Sequence, residues 1–165
     1  MTLDVLLVED NPGDVRLTLE TFRDANRSVR LHLAADGLEA MAFLRRQGPN
    51  ALAPRPVLIL LDLNLPKMDG RDVLAEVKGD IDLKTIPIVI LTTSDTESDI
   101  TRSYQLNANC YLTKPVRLEE FEILVKSVND FWLTKVKLMN VAHVAPPTAP
   151  LTAASSHPVM PWAFR

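Results

Sequence analysis

Apolar residues along this chain come in two rhythms. Near-continuous runs rich in leucine and β-branched residues occur at Leu3–Val8 (LDVLLV), Val29–Ala35 (VRLHLAA), Val57–Leu61 (VLILL), Ile86–Thr92 (IPIVILT) and Cys110–Thr113 (CYLT). Most show no alternation of apolar and polar positions, the pattern of strands covered on both faces. Between them the apolar positions recur at helical spacing. Val15, Leu19 and Phe22 fall at i, i+4 and i+7, and Leu38, Met41 and Leu44 follow Asp36, a residue type suited to an N-cap. Val73 with Val77, and Ile100 with Tyr104, mark two shorter helices. A last and longest helix is predicted from about Leu118 to Met139, with Phe121, Leu124, Val125, Val128 and Trp132 along one side.

Strands and helices that alternate in this way imply βαβ units and a parallel sheet. The expected fold is α/β: a doubly wound, five-stranded parallel sheet of order 2-1-3-4-5, flanked by five helices. There is no internal repeat, and the segment Gly48–Pro56 (GPNALAPRP) reads as a proline-rich loop. After Met139 the composition turns to Ala, Pro, Ser and Thr. Residues 1–139 are therefore expected to form one domain, and residues 140–165 a tail too poor in buriable apolar surface to fold alone. Such a tail is also too short for a DNA-binding output domain.

Composition narrows the function classes. A chain of 165 residues with 47% hydrophobic and 24% charged positions is sized for one ordinary globular domain. A net charge of -3 gives no general reason to expect nucleic acid or an anionic membrane as partner. The lone cysteine, Cys110, excludes an intramolecular disulfide and reads as a small core residue. His32, His143 and His157 lack metal-ligand spacing, and Lys126, Lys135 and Lys137 read as a solvated helix face. The N-terminus has no basic leader and no run long enough for a signal peptide or a membrane span, so a cytoplasmic location is expected.

The chemistry comes from what stands at the strand ends. In open parallel sheets, ligand sites form at the carboxyl ends of strands, where the strand order reverses. Here the first strand runs into Glu9-Asp10, the third into Asp62, the fourth ends in Thr92, and the fifth leads to Lys114-Pro115. With the expected strand order, all of these share one rim. Carboxylates so gathered repel one another, and a divalent cation relieves the repulsion. Mg²⁺ is the expected ion, because it takes hard oxygen ligands and needs few carboxylates beside water and phosphate oxygens. An aspartate oxygen beside such an ion can attack phosphorus, and Lys114 and Thr92 supply the cation and the hydroxyl that the transferring oxygens require.

Four motifs, LLVEDNP, LLDLNLPKMDG, IVILTTS and YLTKP, fall in that order on those strand ends. In these motifs the chain resembles the CheY-like receiver domains of two-component response regulators over roughly Leu3 to Phe131. NPGD, DLNLPKMDG and LTTSDTESDI resemble most the single-domain regulators paired with bacterial phytochrome-type histidine kinases. The resemblance implies that Asp62 is the phosphoacceptor and that Asp10 ligates magnesium, with Glu9 acting largely through metal-bound water. It further implies that Asn64 offers the metal its backbone carbonyl, that Thr92 and Lys114 bind phosphoryl oxygens, that Tyr111 is a switch residue coupled to Thr92, and that Pro115 is cis. Thr93 stands where many relatives carry Ala or Gly, which narrows access to the phosphoryl group. Asn107 stands where glycine is frequent, and asparagine is the usual substitute in a left-handed turn.

The expected role is thus a stand-alone regulator that catalyses only its own phosphorylation and dephosphorylation. It would signal by protein contacts, by dimerisation, or as a phosphate relay or sink. A haloacid-dehalogenase-type phosphatase would need a second acid two residues after the nucleophile, where this chain has Asn64. The other alternative is a receiver-fold binding module that takes no phosphate, against which Asp62, Asp10, Thr92 and Lys114 argue. Phe131, Trp132, Val136, Leu138 and Met139 extend apolar character past a minimal receiver. They predict either a helix folded back on its own domain or, as the favoured reading, a homodimer surface formed with the fourth and fifth strand–helix units.

Overall fold

The computed structural model describes residues 1–25 and 28–139. The strands are β1 (Leu3–Val8), β2 (Val29–Ala34), β3 (Leu58–Leu61), β4 (Ile88–Thr92) and β5 (Cys110–Thr113). The helices are α1 (Pro12–Ala25), α2 (Gly37–Leu44), α3 (Gly70–Gly79), α4 (Glu97–Gln105) and α5 (Leu118–Trp132). All four strand pairings are parallel, and the sheet order is β2-β1-β3-β4-β5. This is the order expected from the sequence. The order reverses at β1, between β2 and β3, and so leaves a crevice beside the end of β1.

Alternate residues of each strand feed opposite faces of the sheet, as the two-residue strand period requires. Leu6, Val8, Ile59, Leu61, Ile88 and Ile90 pack with Met41 and Phe43 of α2 and Val73, Leu74 and Val77 of α3. Their neighbours Val5, Leu7, Leu58, Leu60, Val89 and Leu91 pack with Phe22 of α1 and Phe121, Val125 and Val128 of α5. Both faces are covered, which is why the strands read as unbroken apolar runs. Burying each Val, Leu or Ile contributes roughly 1.5–3 kcal/mol, so the central strands anchor the rim residues that follow them.

Local signals set several boundaries. Asp36 caps α2, its side chain accepting from the Glu39 N–H at 2.8 Å. Thr96 caps α4 in the same way through the Asp99 N–H at 3.2 Å. Asn107 adopts the left-handed conformation, φ 69°, in the turn before β5. A short 3-10 turn, Gly48–Asn50, lies inside the proline-rich loop before β3.

Three expectations are corrected. The last helix ends at Trp132 rather than near Met139. The N–H groups of Lys135 and Val136 both turn back to the Phe131 carbonyl, and the Thr134 hydroxyl takes the Asp130 carbonyl. A continued helix would place Leu138 about 240° around the axis from Trp132. Leaving the helix instead lets Trp132, Leu133 and Leu138 pack together on the α1–α5 core. Second, Leu38 and Tyr104, assigned to apolar stripes, are exposed: α2 buries Met41 and Leu44 of its stripe together with Ala40 and Phe43, and α4 buries Ser103. Third, Pro115 is not cis, since the described residues contain no cis peptide bond. The trans form is the lower in energy for a peptide bond preceding proline. The predicted tail, residues 140–165, lies outside the described residues.

Candidate functional site

The register of the sheet brings the strand ends together. Val8 lies opposite Leu61, so Glu9 and Asp62 leave adjacent strands side by side. Thr92 lies opposite Thr113 at the neighbouring pair of ends, and Lys114 donates its backbone N–H to the Thr92 carbonyl at 2.7 Å. One oxygen each from Glu9, Asp10 and Asp62 lies within 4.8 Å of the others, with Glu9 and Asp62 buried and Asp10 exposed.

Lys114 closes the site. Its ammonium donates to Glu9 Oε2 at 2.5 Å, to Asp62 Oδ2 at 2.9 Å and to Asp14 Oδ2 at 2.9 Å. These three bonds use every hydrogen the ammonium has. Burial alone would lower the Lys114 pKa, but its bonds to Glu9, Asp62 and Asp14 raise it above the ordinary lysine value. For Glu9 burial dominates: it pushes the carboxyl up to about 7 against the bond from Lys114, and the Asp62 charge adds to the rise.

The donor set fits a hard divalent cation, since it consists of carboxylate oxygens within coordinating reach of one another. The upward pressure on Glu9 is the burial and repulsion cost that such an ion would relieve. A second feature fits a phosphoryl group. Thr92 is fully buried, and its hydroxyl oxygen has no hydrogen-bond partner. Buried hydroxyls are ordinarily paired, so this group is kept bare at the rim.

The remaining predicted residues surround these. Asn64 is exposed, and its backbone N–H donates to Asp62 Oδ1 at 3.1 Å. This leaves Asp62 held through one oxygen by the loop and through the other by Lys114. Gly70, first in α3, packs so closely that a β-carbon there would lie 2.0 Å from the Asp62 carbonyl oxygen. The α3 N-terminus thereby fixes the backbone of Asp62. Tyr111 is half-buried, and its hydroxyl donates to the carbonyl of Ser94, two residues past Thr92, at 2.8 Å. Thr93 is exposed at the site's edge, and Pro115 follows Lys114 by a trans peptide bond.

Two groups of residues went unread in the sequence. Asp14 joins Lys114, and its spacing of four from Asp10 across a helix start was the sole hint. Arg71 of α3 makes a forked pair with Asp99 of α4, Nε to Oδ1 at 2.8 Å and Nη2 to Oδ2 at 2.7 Å. Asp99 also accepts from the Ser94 hydroxyl at 2.5 Å. Nothing in the local sequence of either helix marks that pairing. Outside the site, Cys110 is half-buried against the α1–α5 core, His32 is bonded to Asp4, and His143 and His157 lie outside the described residues. Among the described residues, no helix is long and apolar enough to cross a membrane.

Comparison with known proteins gives a consistent picture. The response regulator receiver domain family matches residues 5–126. Response regulator Rcp1 of Synechocystis sp. is 52% identical over 134 residues, covering 81% of this chain and 91% of that protein. The crystal structure of the Mn²⁺-bound form of Rcp1 superposes with a TM-score of 0.82 at 50% identity, covering 84% of this chain and 99% of that one. The phosphorylated cyanobacterial phytochrome response regulator RcpA superposes with a TM-score of 0.83 at 48% identity, covering 85% of this chain and all of that one. With this sheet, this rim of acids and lysine, and these relatives, the chain belongs to the response regulator receiver domain family.

Proposed function

We propose that this protein takes a phosphoryl group from a phytochrome-type histidine kinase onto Asp62, with Mg²⁺ held by Asp10, Glu9, Asp62 and the backbone carbonyl of Asn64. The observation that carries this reading is the pairing of a saturated ammonium with a bare hydroxyl. Lys114 touches Asp62 directly, while the Thr92 hydroxyl is buried and unpartnered at the adjoining strand end. Bound Mg²⁺ would supply charge neutralisation for the carboxylates and the transferring oxygens.

An Asp62 carboxylate oxygen attacks phosphorus. The new O–P bond forms as the N–P bond of the donor phosphohistidine breaks, and the freed imidazole takes up a proton from solvent. The product is an acyl phosphate. Lys114 exchanges a carboxylate partner for one of its oxygens and Thr92 donates to another, so the bare hydroxyl gains a partner only when phosphate is present. Hydrolysis returns the carboxylate and inorganic phosphate, and the protein converts nothing but itself.

The similarity to the regulators named above supports a phytochrome-type kinase as donor and a cytoplasmic setting. Output then proceeds through protein contacts. Drawing Thr92 toward phosphate pulls on the segment leading to Ser94, whose carbonyl Tyr111 holds, and so moves α4 and β5. Exposed Tyr104 on α4 and Leu118, Ile123 and Phe131 on α5 support a homodimer formed through this side of the molecule.

Acetyl phosphate with Mg²⁺ tests the central claim, read by intact mass. Wild type should gain one phosphoryl group, and Asp62→Asn should gain none. Equal labelling of the two proteins would overturn the assignment of Asp62, and no labelling of either would overturn the phosphotransfer reading.

A further inference from the structure

Lys114 has three carboxylate partners, and one of them stands apart. Glu9 and Asp62 belong to the acidic group that fits a divalent cation, whereas Asp14 does not. Asp14 sits in the first turn of α1 and is fixed at both of its backbone groups, by the residue that precedes the helix and by the helix's second turn. Its N–H donates to Asn11 Oδ1 at 3.0 Å, and its carbonyl accepts from the Thr18 hydroxyl at 2.7 Å. Its side chain is 30% exposed, against 5% for Lys114 and 7% for Asp62.

We propose that Asp14 is a positioning residue for Lys114, holding its ammonium at the phosphoryl site from outside the Glu9–Asp10–Asp62 carboxylate group. The inference rests on the phosphotransfer reading above and adds a member to its machinery. When a cation engages Glu9 and Asp62, and Asp62 becomes an acyl phosphate, two of the lysine's three acceptors are taken over. Asp14 alone remains. The ammonium already touches Asp14 and Asp62 at once, both at 2.9 Å, so Asp14 does not draw it away from the phosphoacceptor. Instead it fixes one N–H and leaves the others directed at the phosphoryl oxygens. A lysine carries its charge on a long stem with several rotatable bonds, and an untethered ammonium samples many positions. Pre-placing its charge therefore lowers the barrier rather than merely adding a contact.

This predicts a specific pattern. Asp14→Asn keeps the shape but loses the charged bond, so phosphorylation by acetyl phosphate at saturating Mg²⁺ should slow about tenfold, the size expected for one hydrogen bond to a charged group. Asp14→Glu should recover part of the loss. In a Lys114→Met background Asp14→Asn should have no further effect, because Asp14 acts through the lysine. A second readout needs no phosphate. The Lys114 ammonium, buried and fully bonded, should give a slowly exchanging ¹⁵N–¹H signal in the cold, and Asp14→Asn should lose it.

An ammonium signal unchanged in Asp14→Asn would overturn the proposal. So would a tenfold slowing that persists undiminished in the Lys114→Met background, since Asp14 would then act on the site directly. If wild type took no phosphate at all, the phosphotransfer reading would fail, while the ammonium signal would still decide whether Asp14 positions Lys114.

Discussion

At Thr92, stability and the proposed phosphoryl role pull in opposite directions. Its hydroxyl is buried without a partner, and a buried polar group in that condition costs about 1–3 kcal/mol. Thr92→Val keeps the shape and removes the oxygen. The variant should unfold at higher temperature than wild type, by the equivalent of about 1 kcal/mol, while its spectroscopic response to beryllofluoride weakens. A destabilised Thr92→Val with a normal response would show that the hydroxyl has a structural partner and no phosphoryl role. At this scale the sequence was informative where a residue sits on a strand end. Asp62, Thr92 and Lys114 lie one step from an apolar run, so the sheet alone determines where they point. Asp14 was not legible, because its role depends on how far Lys114 reaches back across the rim to the start of α1.

Between elements, one tie outside the core is the Arg71–Asp99 fork. It holds the N-terminal turn of α4 against α3, and through the Ser94 hydroxyl it reaches the loop that follows Thr92. Arg71 itself follows Gly70, which abuts the Asp62 backbone. Arg71→Ala should lower stability by roughly 1–3 kcal/mol, as for a hydrogen-bonded charged group, and should speed amide exchange in α4. The Arg71 guanidinium and the Ser94 hydroxyl hold the Asp99 carboxyl well below the usual carboxylate range. A depressed acid adds stability that is present above its unfolded pKa, near 4, and is lost as pH falls through the folded value. The gap between wild type and Arg71→Ala, measured by urea unfolding, should therefore be full at neutral pH and narrow below about pH 4. A gap independent of pH down to strong acid would mean that the charge pair is not its source. Neither partner could be matched in the sequence, since each helix carries several charges and only the placement of Arg71 beside Asp99 in the folded chain selects one pair.

At the level of the whole molecule, the apolar residues near the end of α5 divide between two fates. Leu133 is buried, and Trp132 and Leu138 pack on the α1–α5 core, so part of the segment folds back on its own domain. Phe131 and Met139 stay 56% and 55% exposed, with Ile123 at 66% on the same helix. That residue of unburied surface is what remains for the proposed homodimer. Sedimentation at high micromolar concentration should give a dimer for wild type and a monomer for Phe131→Glu, with each chain equally folded by circular dichroism. A monomeric wild type, phosphorylated or not, would remove the dimer from the account.

The sequence by itself determined the five-strand alternation, the parallel sheet covered on both faces, and the identity of the residues at its carboxyl rim. Those follow from local periodicity and from the rule that parallel strands point their ends the same way. It did not determine where α5 stops, because that depends on Trp132 and Leu138 finding the same patch of core rather than on any helix-breaking residue. Nor did it reveal that one ammonium satisfies three carboxylates, or that Arg71 selects Asp99. Hydrogen bonds between segments far apart in sequence leave no periodic trace. Only the packed tertiary structure brings Glu9, Asp14, Asp62 and Lys114 within bonding distance while leaving the Thr92 hydroxyl bare beside them.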